Sequence, residues 1–323
     1  MLTRRDCLAL TAITCATSAL LPRLAAAQAS DVITRAIPAT GEQLPIVGLG
    51  SSASFAQLAT AGDLDPLREV FRTMLDAGGT VFDTAPSYGR GSSEEVSGQL
   101  VAELGGTERM FWATKVNVAR GGFRGGGEPS GADPAAARAQ IQASFDYLQA
   151  DPIDLIQVHN LGDMPTQFGI LKELKQEGRI RYIGATTTSP RQYGELIEWM
   201  QNEPLDFIGI DYAVDNTAAA EEVFPVAIDQ GIGVLVYVPF GRNRLFNRVG
   251  DREVPEFARE MGAESWAQFF IKFAASHPAV TTVTPATSQA RHMLDNMGAA
   301  LGRLPDAAEQ QRMIETIEAL PQG

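Results

Sequence analysis

Short apolar segments of strand type alternate eight times with amphipathic segments of helical type, over roughly 250 residues. The strand-type segments are apolar on both faces, as parallel strands covered by helices must be. No shift in composition marks a second domain. Together these observations predict an α/β chain folded as one (βα)8 TIM barrel, with an N-terminal β-hairpin and an extra C-terminal helix.

The hairpin is expected from Val32–Ala39 and Leu44–Gly48, which flank the turn residues Thr40-Gly41-Glu42. Barrel strands are expected over Val47–Gly50, Thr80–Asp83, Met110–Val116, Ile153–His159, Tyr182–Ala185, Phe207–Asp211, Val234–Val238 and Thr281–Thr284. Helices are expected near 65–77, 92–104, 135–149, 165–177, 190–201, 219–230, 264–275 and 290–301, with the last one near 306–319. The stretches 51–60, 119–134 and 239–255 read as loops after strand C-termini, where barrel enzymes build their sites. Substrate choice is assigned to them, with Phe55, Phe123, Phe240 and Phe246 as candidate linings of an apolar pocket.

Ahead of the barrel, Thr3-Arg4-Arg5-Asp6 precedes an apolar run from Cys7 to Leu21. Leu24-Ala25-Ala26-Ala27-Gln28-Ala29-Ser30 follows and offers small-residue cleavage sites after Ala27 or Ala29. This pattern predicts an export signal over 1–29, of twin-arginine type in preference to the ordinary secretory type or an uncleaved anchor. The mature domain is then 30–323, in the periplasm or secreted. Both cysteines, Cys7 and Cys15, lie inside the signal, so the mature chain has no thiol chemistry.

Charge narrows the partners. The chain carries 26 Lys and Arg against 39 Asp and Glu, a net charge of −13. Nucleic acids and anionic membranes need a basic face, so both are excluded as partners. No stable membrane association is expected after signal cleavage, and a monomer or homodimer is expected.

In a (βα)8 barrel, residues at strand C-termini converge on one mouth. Asp83, Lys115 and His159 end the second, third and fourth predicted strands, so they are neighbours there. An ammonium in an apolar strand needs a partner, and Asp83 supplies one. Tyr88 follows Asp83 by five positions. Lys115 is expected to donate to the Tyr88 oxygen and to lower its pKa from about 10 toward working pH. Tyr88 would then exchange a proton with a carbonyl or alcohol oxygen, and His159 would orient that oxygen.

The same residues sit in recognisable runs: Asp83-Thr84-Ala85-Pro86-Ser87-Tyr88-Gly89, Ala113-Thr114-Lys115-Val116, Asp154-Leu155-Ile156-Gln157-Val158-His159, and Lys175-Gln176-Glu177-Gly178-Arg179-Ile180-Arg181-Tyr182-Ile183-Gly184. These resemble the hallmark runs of the aldo-keto reductase family, over about residues 44 to 303. The resemblance implies a metal-free barrel that interconverts a small aldehyde or ketone and its alcohol by hydride transfer. It implies Asp83, Tyr88, Lys115 and His159 as the catalytic tetrad, with Tyr88 as general acid/base. It also implies a nicotinamide cofactor, NADP(H) first and NAD(H) as the alternative.

The resemblance further assigns the cofactor's contacts. Thr186 and Thr187 stand where the family places a hydroxyl and an amide for the carboxamide. Gly209 stands where a glutamine usually adds another contact. Tyr237 stands where an aromatic ring stacks on the nicotinamide. Ser51, Pro239, Gly241 and Arg242 flank the site, and Thr287, Ser288, His292, Asp295 and Asn296 take the adenine end. Ala286 replaces a lysine that some members use for the 2′-phosphate, leaving Arg291 and His292 as the nearest cationic candidates. Two alternatives remain at this stage. One is a non-enzymatic dinucleotide-binding or sensing subunit on the same barrel. The other is a metal-dependent hydrolase or isomerase, for which only His159, His277 and His292 are available as imidazole ligands.

Overall fold

The computed structural model describes residues 32–118 and 131–321. The predicted signal, both cysteines, and Phe123 with most of the loop after the third barrel strand lie outside the described residues.

A hairpin opens the fold: β1 (Thr34–Ala36) pairs antiparallel with β2 (Gln43–Pro45). Eight parallel strands follow: β3 (Leu49–Gly50), β4 (Val81–Asp83), β5 (Phe111–Val116), β6 (Ile153–Val158), β7 (Ile180–Thr187), β8 (Phe207–Asp211), β9 (Gly233–Tyr237) and β10 (Val280–Val283). They hydrogen-bond in sequence order from β3 to β10. Parallel bridges from Val47 to Val283 and from Gly50 to Ala286 join the first strand region to the last. The result is a barrel.

Alternate residues point inward. Val81, Phe111, Ala113, Leu155, Tyr182, Phe207 and Leu235 fill the interior as one apolar cluster, and Ile37 and Leu44 of the hairpin close its lower end. The hairpin is pinned there by polar contacts. The Tyr182 hydroxyl donates to Glu42 at 2.8 Å, and Arg181 pairs with both Glu42 and Asp154. The opposite end, at the strand C-termini, is left for the site.

Helices cover the outside through apolar stripes. In Leu64–Asp76 the buried residues are Leu67, Val70, Phe71, Met74 and Leu75, the spacing of one helical face. The C-terminal helix, Ala307–Glu318, starts with a reciprocal capping box between Asp306 and Glu309. Where Ser92–Glu103 meets Pro134–Leu148, Gly98 lets two backbones touch. A Cβ at Gly98 would overlap the Tyr147 carbonyl and stand 2.9 Å from the Leu148 backbone. Backbone cannot yield as a side-chain tip can. Gly98→Ala is therefore expected to cost about 1–3 kcal/mol, read as a lower urea midpoint at unchanged slope.

The strand forecasts hold within a few residues, and β7 is longer at both ends. Three differences concern helices. The stretch 51–60 contains a helix, Ser54–Ala61, and Phe55 is fully buried against Phe71 and Phe82 rather than lining a pocket. The stretch 239–255 contains Arg244–Val249, with Glu256–Glu260 just after it. The helix expected over 219–230 is two, Ala218–Glu222 and Phe224–Gln230. Pro225 explains the break, because proline lacks an N–H and clashes with the preceding turn, so it is tolerated only in a first turn.

Candidate active site

At the C-terminal mouth the apolar filling gives way to a polar layer. Asp83 ends β4, Lys115 is on β5, Gln157 on β6 and Tyr237 ends β9; all project inward by the two-residue alternation. The Lys115 ammonium donates to Asp83 Oδ1 at 2.7 Å and to the Thr84 carbonyl at 2.6 Å. The Lys115 and Asp83 side chains are 1% and 5% exposed. The Tyr237 hydroxyl lies 3.0 Å from Asp83 Oδ2 and 2.9 Å from Gln157 Oε1.

Tyr88 enters from the turn after β4, where Gly89 and Arg90 adopt positive φ of 61° and 57°. Its ring centroid is 5.4 Å from Lys115 Nζ. The ring packs edge-on against His159, with centroids 6.0 Å apart. His159 follows β6, in a turn where Asn160 and Leu161 also have positive φ. The structure therefore brings Asp83, Tyr88, Lys115 and His159 together at one rim.

The expected Lys115–Tyr88 hydrogen bond is not among those formed by the described residues; the ammonium bonds Asp83 and Thr84 instead. The expected lowering of Tyr88 is also reversed. Burial pushes the Tyr88 phenol above its ordinary value, and the charges of Lys115 and Arg242 oppose this only in part. Burial is the largest cause, and Asp83, in contact with Lys115, adds a smaller upward push. Asp83 itself is raised by burial against the pull of Lys115. Burial pulls Lys115 down, but the Asp83 carboxylate leads the anionic groups that leave it raised overall. The site thus holds a neutral phenol beside a buried ion pair.

His159 is pushed down to about 3, by burial first and by Lys115 second. It is a neutral imidazole near neutrality, with Nδ1 buried and without a hydrogen-bond partner among the described residues. An unfolded histidine titrates near 6.5, so below that pH the unfolded chain takes up a proton that the folded one refuses. Stability from His159 should accordingly fall from about pH 6.5 down to about 3. Exchanging it for Gln should flatten that part of the stability-versus-pH curve, measured by urea unfolding at each pH.

A cleft of about 600 Å³ opens among the segments that follow β9 and β10. Arg242, Thr287, Ser288, His292, Asp295 and Asn296 line it, with Phe240, Phe246 and Trp266 as its apolar wall. Asp295 is held by Ser265 and by Gln268, each at 2.8 Å. Arg242 also borders a smaller cavity of about 110 Å³ with Asp211, Asn216, Gly241 and Arg244. The other sequence candidates lie deeper. Ser51 is fully buried, and its hydroxyl lacks a partner among the described residues. The Thr186 hydroxyl accepts from the Asn160 N–H at 3.0 Å. The buried Thr187 hydroxyl donates to Gln192 at 2.7 Å and accepts from the Ser189 N–H. Pro239 sits in the turn after β9.

Sequence reading missed the hydrogen bonding of Gln157 and Tyr237. A polar residue two positions before His159 in an apolar strand was the available signal for Gln157. No motif marked Ser265 or Trp266. Among the described residues, no group of three or more His, Cys, Asp or Glu side chains is arranged to hold a metal ion. No helix of the described residues is long and apolar enough to cross a membrane.

The sequence model of the aldo/keto reductase family matches residues 47–318. Aldo-keto reductase YhdN of Bacillus subtilis is 31% identical over 213 residues, covering 65% of this chain and 62% of that protein. The chain thus matches about three fifths of that relative's length. The NADH-specific methylglyoxal reductase of Escherichia coli is 32% identical over 231 residues, covering 66% and 69%. Among solved structures, aldo-keto reductase AKR11C1 from Bacillus halodurans superposes with a TM-score of 0.68 at 24% identity, covering 88% of this chain and 96% of that one. An aldo/keto reductase from Klebsiella pneumoniae in complex with NADP and acetate gives 0.67 at 22%, covering 88% and 94%. These structures share the barrel, and the family model spans nearly all of it: the chain belongs to the aldo/keto reductase family.

Proposed function

We propose that this protein is an NAD(P)H-dependent oxidoreductase that interconverts a small aldehyde or ketone and its alcohol. The observation that carries this reading is the gathering of Tyr88 and His159 at one rim beside the buried Asp83–Lys115 pair. The phenol carries its proton near neutrality, and the Lys115 charge, which opposes the rise caused by burial, favours its release. Tyr88 gives its proton to the carbonyl oxygen, or takes one from the alcohol in reverse. The His159 imidazole holds that oxygen by a hydrogen bond. Lys115, compensated by Asp83, stabilises the phenolate left behind.

The cleft supports a dinucleotide. Its volume of about 600 Å³ is that of a small-molecule site. Thr287, Ser288, Asp295 and Asn296 offer hydroxyl, carboxylate and amide groups to an adenosine, and Arg242 offers a cation to phosphate. When bound, the nicotinamide supplies the hydride that adds to the carbonyl carbon. NADP(H) is the first assignment, from the family and the NADP-bound Klebsiella structure; the NADH-specific Escherichia relative keeps NAD(H) as the alternative.

Two measurements test the reading. Reduced cofactor should be consumed with some member of an aldehyde panel. Either NADPH or NADH should quench tryptophan fluorescence, since Trp266 lines the cleft. Binding without turnover on any carbonyl would favour the alternative, a dinucleotide-binding or sensing subunit. The segment 1–29 supports twin-arginine export of the folded protein, with its cofactor aboard. Periplasmic material should then begin at Gln28 or Ser30 and release dinucleotide on denaturation.

A further inference from the structure

Gly209 and Tyr237 fit together in a way that the reaction above does not use. Gly209 on β8 and Tyr237 on the neighbouring strand β9 both face inward, with Tyr237 two residues beyond Leu235, the register partner of Gly209. A Cβ at Gly209 would stand 2.6 Å from Tyr237 Cζ. Any side chain at 209 would therefore displace the ring. Through that gap Tyr237 reaches across the barrel mouth to β4 and β6, where its hydroxyl meets Asp83 Oδ2 and Gln157 Oε1. The ring rests on the apolar filling below and lies 5.1 Å from Lys115 Nζ.

We propose that Tyr237 is a positioning residue for the Asp83–Lys115 pair, its hydroxyl holding the Asp83 carboxylate and the glycine at 209 existing to admit its ring.

A phenol carries one proton, and both facing oxygens accept. The carboxylate takes that proton, because a hydrogen bond to a charged group is about twice as strong as a neutral one. Asp83 then has both oxygens occupied: Oδ1 by Lys115 and Oδ2 by Tyr237. A carboxylate tied at one oxygen only is free to turn about its χ2 bond. The second tie removes that freedom and fixes the ammonium under Tyr88. The bond also favours the ionised form of Asp83, whose charge in turn holds the Tyr88 phenol up.

The proposal rests on the oxidoreductase reading, but one arm of its test does not need turnover. Tyr237→Phe keeps the ring, and so any stacking on a nicotinamide, and removes only the hydroxyl. It should lower kcat about tenfold, the loss of one charge-assisted hydrogen bond. KM for the carbonyl should stay within about threefold, because the hydroxyl touches no substrate. The alkaline limb of the pH–rate profile should move down, since Asp83 opposes Lys115 less firmly. In the cofactor-free protein, the ultraviolet titration of Tyr88, taken as the difference from Tyr88→Phe in each background, should move down likewise. Gly209→Ala, which displaces the ring, should shift it in the same direction. A Tyr237→Phe protein that titrates and turns over as wild type overturns the proposal, even if its melting temperature falls. If the wild type reduces no carbonyl, the oxidoreductase reading fails, and the cofactor-free titration still decides this one.

Discussion

Tyr88→Phe is expected to lower kcat for carbonyl reduction by about 10²–10⁴-fold, the range for losing a positioned proton donor. The ring remains, with its edge-on contact to His159 and its place 5.4 Å from Lys115. The hydroxyl makes no hydrogen bond to another described residue, so its removal leaves no buried partner unsatisfied. Stability should change little, by about 1 kcal/mol or less. Cofactor binding by fluorescence should be unchanged. Steady-state kinetics with a responsive aldehyde, alongside a denaturant melt, checks all three. Retention of wild-type kcat removes Tyr88 from the mechanism and takes the proposed chemistry with it.

Lys115→Met should have the largest effect on stability. The side chains are similar in length, so packing is nearly kept, but Asp83 is left buried opposite nothing cationic. Breaking a buried pair by removing one partner costs about 3–5 kcal/mol. Its pH dependence identifies the cause. Without Lys115, Asp83 titrates still higher in the folded state, while the unfolded chain ionises near 3.9. A folded-state value above the unfolded one gives stability that is present at low pH and lost as pH rises. The deficit of Lys115→Met relative to wild type should thus be largest near neutrality and shrink toward pH 4. Adding Asp83→Asn removes the stranded charge, so the double variant should be more stable than Lys115→Met alone. Urea melts across that pH range measure both effects. A deficit independent of pH would assign the loss to packing instead.

The extent to which the site was legible follows from local spacing. Asp83, Lys115 and His159 stand at the ends of apolar runs, and a parallel barrel brings strand ends to one rim whatever its side chains do. Their meeting was therefore readable. The direction of the Tyr88 shift was not. Its burial, and the compensation of Lys115 by an aspartate in contact, depend on distances that no spacing carries. The role of Phe55 was unreadable for the same reason: a loop phenylalanine and a core phenylalanine look alike until Phe71 and Phe82 close on it. The split near Pro225 was legible in principle, since proline's missing donor is a local property.

The amino-acid order alone determined the order of the barrel strands and of the main helices between them, the rim on which the chemistry collects, and the polar residues delivered to it. Those follow from periodicity and chain direction, which are local. Only the folded molecule decided which hydrogen bonds the rim makes, in which direction burial moves the Tyr88 phenol, and that a missing side chain at Gly209 lets Tyr237 reach Asp83. Each depends on desolvation and on contacts between strands far apart in the chain, and such energies arise only once the barrel has closed.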